Sequence, residues 1–119
     1  MRRVVVTGMG AVTPLGNTIE ETWQGIKEGR SGITNITNFD ATEYKVQVAG
    51  EVKNFDGAKY YDRKDGRKMG RFTQFAVAAS VMAMEDAGFT KENLDGKKAA
   101  VIVGNGIGGF EVYEEAFKK

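Results

Sequence analysis

Two stretches of this sequence carry residue types spaced for chemistry. Gly104-Asn105-Gly106-Ile107-Gly108-Gly109 satisfies G-x-G-x-x-G and lies between an apolar run and a predicted helix, the setting in which such loops cradle dinucleotide phosphates. The acid expected about 20 residues after the fingerprint would fall beyond Lys119, and the loop after the first apolar run, Gly8 to Thr13, lacks the third glycine. The simpler reading is that these glycines let the backbone turn tightly and pass close to another element. It is preferred, because short glycine patterns are common. The second stretch is Lys59 to Arg71, KYYDRKDGRKMGR, with six basic residues against two acidic ones. Arg63, Lys64, Arg67, Lys68 and Arg71 precede and enter the first turn of a predicted helix. Cations there oppose the helix dipole, at a cost of about 0.3 to 1 kcal/mol each at low salt. The cluster is either a solvated cap or a place for a phosphate or an acidic partner. Single-stranded nucleic acid stacked on Tyr60 and Tyr61 ranks below both.

Other chemistries are excluded within these 119 residues. There is no cysteine and no histidine, so a catalytic triad, thiol chemistry, a disulfide framework and the commonest zinc sites are all absent. Glu20-Glu21 and Glu114-Glu115 read as solvated pairs with no base or nucleophile to serve. A net charge of +1 argues against a protein-wide basic field, and 41% apolar with 28% charged residues is ordinary globular usage. Trp23, Met82 and Met84 sit at core spacings and read as packing.

The elements that must position the two stretches follow from periodicity. Met69 to Gly88, MGRFTQFAVAASVMAMEDAG, is apolar nearly all round, which predicts a helix buried in an interior. It is too short and too polar at its start to span a membrane, and Gly88 stops it. Its alanines and Ser80 predict that other backbones pass close against it. Surrounding such a helix takes more protein than 119 residues supply, so the polypeptide reads as incomplete. Val4 to Val6 and Ala99 to Val103 are continuous apolar runs that suit strands buried on both faces of a parallel sheet. Between them, Asn17 with Glu20 or Thr18 with Glu21 offers an N-cap for an amphipathic helix bearing Ile19, Trp23 and Ile26 and ended by Gly29. Ser31 to Tyr44 reads as an extended loop, and Val46, Val48 and Val52 as a half-exposed strand closed by Asn54 to Gly57. Asp95-Gly96 makes a turn. From Phe110, apolar residues at Phe110, Tyr113 and Phe117 predict a helix without a stop signal, so that the chain ends mid-helix. The order is α/β with parallel pairing expected, in one domain. Three aliphatics after Arg2-Arg3 are too few for a signal-peptide core, which implies a cytoplasmic location.

Taken together, RRVVVTGMGAVTPLGNT, GRSGI, RKMGRFTQFAVAAS, AMEDAG and VIVGNGIGG make a specific pattern. The chain resembles the N-terminal part of the β-ketoacyl-acyl carrier protein synthases, and among them the synthase II branch of bacterial fatty-acid synthesis. The resemblance implies a thiolase-like layered αβαβα fold. Residues 1–119 would supply an N-terminal portion of the N-terminal domain, with a mixed, mainly parallel sheet against a buried central helix. It further implies decarboxylative condensation of malonyl-acyl carrier protein with an acyl chain, no cofactor, and a homodimer when complete. A cysteine and two histidines carry that reaction in the family, and none is present here, so these residues alone should be inactive. The resemblance places Ile107, with Gly106 and Gly108, on the wall of the acyl pocket, and Lys64, Arg67 and Lys68 where acyl carrier protein docks. Gly70 stands where many relatives carry an acid, and Asn105 where small hydroxyl residues are frequent. Two readings of other classes stand beside it: a dinucleotide or phosphate module built on Gly104 to Gly109, and a noncatalytic interaction domain built on the basic patch.

Overall fold

The computed structural model describes residues 2–118. They fall into two compact units, one built from residues up to Gly10 together with those from Asp56 onward, the other from Ala11–Phe55.

In the Ala11–Phe55 unit, helix α1 (Ile19–Lys27) begins at Thr18. Of the two expected caps, Thr18 is the one used: its hydroxyl accepts from the Glu21 amide at 3.2 Å, and the Glu21 carboxylate accepts from the Asn17 amide at 2.7 Å. Gly29, at φ +65°, closes the helix. Its amide donates to Ile26 at 3.0 Å and the Arg30 amide to Gly25 at 2.9 Å, the bond pair that satisfies orphan carbonyls at a left-handed helix end. The buried position of α1 is Gly25, seated against Leu15. Trp23 is 58% exposed, which corrects its reading as a packed residue: the helix packs through its smallest side chain, not its largest. Strands β1 (Ile33–Asn35) and β2 (Val48–Gly50) pair antiparallel, Ile33 opposite Gly50 and Asn35 opposite Val48. The first lies inside the segment expected to be a loop. Beyond the ladder, Glu51 ties the two arms together, accepting from the Thr37 amide and hydroxyl at 3.0 and 2.7 Å and from the Asn38 amide at 3.2 Å.

The other unit is organised on α3 (Arg71–Asp86), whose end at Gly88 repeats the left-handed closure, with Gly88 donating to Glu85 and Phe89 to Met84. The expected close approach of another backbone is present. A Cβ on Gly8 would overlap the Ala83 carbonyl, and one on Gly10 the Ala79 carbonyl, so this segment lies directly on the alanine face of α3. The Met9 amide also donates to the Asp86 carboxylate at 2.9 Å.

The helix is nevertheless half-covered and not enclosed. Ala78 is its one buried residue, at 0% exposure, while Phe72 and Met84 reach solvent. The two apolar runs expected as strands are not strands here. Val4 and Ile102 are each 93% exposed, and β1 and β2 form the only sheet among the described residues. A strand exists through its ladder, and no described segment pairs with either run. Three short helices lie outside the expectations: a 3-10 turn over Gly57–Lys59, α2 (Arg63–Gly66), and α4 (Lys91–Leu94), the last held by a Thr90 and Asn93 capping box. The helix expected from Phe110 is α5 (Phe110–Phe117). Among the described residues no helix is long and apolar enough to cross a membrane.

Candidate functional site

The basic segment is a folded turn. Helix α2 carries Arg63 and Lys64, and Arg67 and Lys68 follow at its C-terminal end, before Gly70 opens α3. Arg63 and Lys64 open the short helix, whereas Arg67 and Lys68 therefore stand between its C-terminal end and the positive end of a longer one. This softens the dipole conflict expected from sequence. Beneath them, Gly66 is buried against the Tyr61 ring, where an added Cβ would come within 2.7 Å of Cε2. Gln74, one turn into α3, fastens the segment from below. Its Nε2 donates to the Gly66 carbonyl at 3.0 Å and the Met69 carbonyl at 3.1 Å, and its Oε1 accepts from the Tyr61 hydroxyl at 3.0 Å. Burial holds the Tyr61 hydroxyl above its ordinary pKa, against the opposing pull of Arg71 and with a smaller push from Asp56. Lys64, Arg67 and Lys68 remain exposed, and none forms an ion pair among the described residues.

The N-terminus of α3 is already supplied with an anion. Gly70 has no side chain to cap it, and the Arg71 amide instead donates to the Glu111 carboxylate at 3.0 Å, across 40 residues. Glu111 belongs to the first turn of α5, so one carboxylate serves the positive ends of two helices. A phosphate at this helix end would have to displace it. The Arg71 guanidinium lies over the Phe75 ring, 5.0 Å from its centroid. A cleft of about 310 Å³ opens beside these groups, lined by Arg67, Lys68, Arg71, Gln74, Glu111 and Glu115 among others. Neither Gln74 nor Glu111 was singled out by sequence. Gln74 is a single polar residue on an otherwise apolar helix, and nothing local marks Glu111 as a cap for a helix so far away.

The glycine loop divides into two halves. A Cβ on Gly104 or Gly106 would meet nothing within 4 Å, whereas one on Gly108 would press on Phe72 and the Asn105 side chain at 2.8 and 2.7 Å, and one on Gly109 on Phe72 at 2.9 Å. Close packing therefore accounts for Gly108 and Gly109 and not for the first two. Asn105 accepts from the Gly108 amide at 3.2 Å, closing the turn. Within it, Ile107 takes φ +45° and is 83% exposed. A β-branched residue in the left-handed region costs about 1 to 2 kcal/mol, so the loop presents this side chain at a local expense. Gly109, at φ +92°, leads into α5. The strand that a dinucleotide fingerprint requires before its glycines is absent among the described residues. In the same residues no cluster of three acidic, histidine or cysteine side chains could hold a metal ion.

The comparisons with known proteins give one answer. The family model for the beta-ketoacyl synthase N-terminal domain matches residues 1–119. The 3-oxoacyl-acyl-carrier-protein synthase 2 of Synechocystis is 48% identical over 114 residues, which is 96% of this chain and 27% of the relative. That of Vibrio harveyi is 46% identical over 113 residues, 95% of this chain and 27% of the relative. Among solved structures, the ishigamide ketosynthase/chain length factor superposes with a TM-score of 0.67 at 40% identity, covering 77% of this chain and 23% of its own. A beta-ketoacyl synthase from Burkholderia phymatum gives 0.63 at 38% identity with the same coverage. The chain thus spans about a quarter of the length of these relatives. Its mixed α/β units are part of the thiolase-like fold of ketosynthases, although the parallel strands expected of that fold are not formed here. With a match running the whole length of the sequence and a superposition that agrees with it, the chain belongs to the β-ketoacyl synthase family.

Proposed function

We propose that this chain is the N-terminal portion of an enzyme that condenses malonyl-acyl carrier protein with an acyl chain, losing carbon dioxide. The observation that carries the reading is the 48% identity to a 3-oxoacyl-acyl-carrier-protein synthase 2 over 96% of the chain. In this reading Lys64, Arg67 and Lys68 receive the acidic carrier protein. Their exposure, and the absence of ion pairs to them among the described residues, support that role. Ile107, with Gly106 and Gly108, forms part of the acyl-pocket wall. The positive φ of Ile107 supports it, since strained backbone persists where a side chain must be presented in a set direction. The nucleophile and the bases of the reaction lie outside these residues, which contain no cysteine or histidine.

The test is a splice. These 119 residues replace the matching segment of the Synechocystis relative, and condensation of acyl and malonyl carrier-protein thioesters is measured. Turnover close to the parent's is expected, and none from the isolated 119-residue chain. A soluble, folded splice without turnover, or turnover by the isolated chain, would overturn the proposal.

A further inference from the structure

We infer that Gln74 is a positioning residue for the docking cations, an inference that rests on the docking reading above. Its two amide hydrogens go to the carbonyls of Gly66 and Met69, which bracket Arg67 and Lys68, and its own carbonyl oxygen is taken by Tyr61. The segment that carries the cations is therefore pinned at both ends to one side chain of α3. The Gly66 carbonyl at the end of α2 also accepts from the Met69 amide at 3.3 Å, so Gln74 adds a second donor to a turn that already closes there. Tyr61 completes the arrangement by laying its ring on Gly66. None of these groups carries charge toward a partner. What they determine is the direction in which two exposed cations point, and so the geometry of the surface that a carrier protein meets.

The experiment uses the spliced synthase and compares carrier-bound malonyl substrate with a small carrier-free thioester. Gln74→Met keeps the volume and removes all three hydrogen bonds. It is expected to raise KM for the carrier-bound substrate by about fivefold with kcat held, the pattern of a lost docking contact. Tyr61→Phe removes one bond and should raise the same KM by about twofold. If Gln74→Met yields no folded enzyme, Tyr61→Phe decides, and an unchanged KM in that variant overturns the inference. The double change Arg67→Glu with Lys68→Glu serves as the reference. In that background Gln74→Met should add nothing further to KM, because residues acting through one another are not additive. Should the charge reversal leave KM alone, the docking reading itself is wrong. Should the reversal raise KM while Gln74→Met does not, or should Gln74→Met slow both substrates equally, docking stands and the role given to Gln74 falls.

Discussion

The basic segment and the glycine loop both touch the first turns of α3, yet they are held by different means. Residues 63–70 are held by polar bonds within the described residues: the Gln74 amide reaches the Gly66 and Met69 carbonyls, the Tyr61 hydroxyl holds Gln74 in turn, and Glu111 takes the Arg71 amide just beyond the segment. The glycine loop has one such bond, from the Gly108 amide to Asn105, and otherwise rests on the Phe72 ring through Gly108 and Gly109. Its other half, Gly104 to Ile107, and the apolar run before it stand in solvent. Directed hydrogen bonds, from Gln74 a turn or two away and from Glu111 40 residues on, settle a segment without further surface. An apolar run can be settled only by surface that covers it, because its stabilisation scales with area removed from water.

The largest effect should come from the exposed half of the loop. In the spliced synthase, Ile107→Phe is expected to lower kcat/KM for the longest acyl primers by about tenfold or more, since small changes in an apolar pocket discriminate on that scale. Short primers should be spared. The primer-length profile checks this, with thermal unfolding alongside. An unchanged profile and lowered stability would place Ile107 in a packed core and erase the distinction drawn between the two halves.

A smaller effect separates the halves directly. Gly108→Ala puts a methyl group against Phe72 and Asn105, and should cost about 1 to 3 kcal/mol. Gly106→Ala meets open space, and its φ lies outside the left-handed region, so it should be neutral or stabilising by less than about 1 kcal/mol. Urea midpoints of the two variants measure the difference. Equal costs would mean that Gly106 is also packed, and the loop would then be no more open than the basic segment.

What could be read in advance follows the same division. The Thr18 cap, the Gly29 and Gly88 stops and the span of α3 were legible because each depends on residues within one or two turns. The close approach of Gly8 and Gly10 was legible in kind, since alanines at helical spacing invite a backbone. Strand β1 was not: Ile33 and Thr34 suit a strand but sit in a segment rich in Gly, Asn and Asp, and they are a strand through Val48 to Gly50, paired from beyond an intervening loop. Val4 to Val6 and Ala99 to Val103 failed in the opposite sense, having strand composition without a partner. Of the site, the charges and glycines were visible, whereas the positioning groups were not. Gln74 and Glu111 matter through bonds spanning up to 40 residues, and a polar residue on a helix carries no local sign of such a bond.

The smallest predicted effect is a pH dependence confined to the basic segment. Burial raises the Tyr61 pKa above its ordinary 10.0, so the folded state favours the neutral phenol that donates to Gln74. A group of this kind contributes its full stability below the unfolded pKa. As pH climbs past about 10 the unfolded chain releases the proton first, binds fewer protons than the folded state, and stability declines until the folded pKa is reached. The urea midpoint should therefore fall more steeply above pH 10 in the parent than in Tyr61→Phe, which has no proton to lose. Gly106→Ala, in the open half of the loop, should follow the parent curve. Parallel curves for parent and Tyr61→Phe would show that the hydroxyl is free to ionise in the folded state, and that the clamp on the basic segment is looser than its three hydrogen bonds imply.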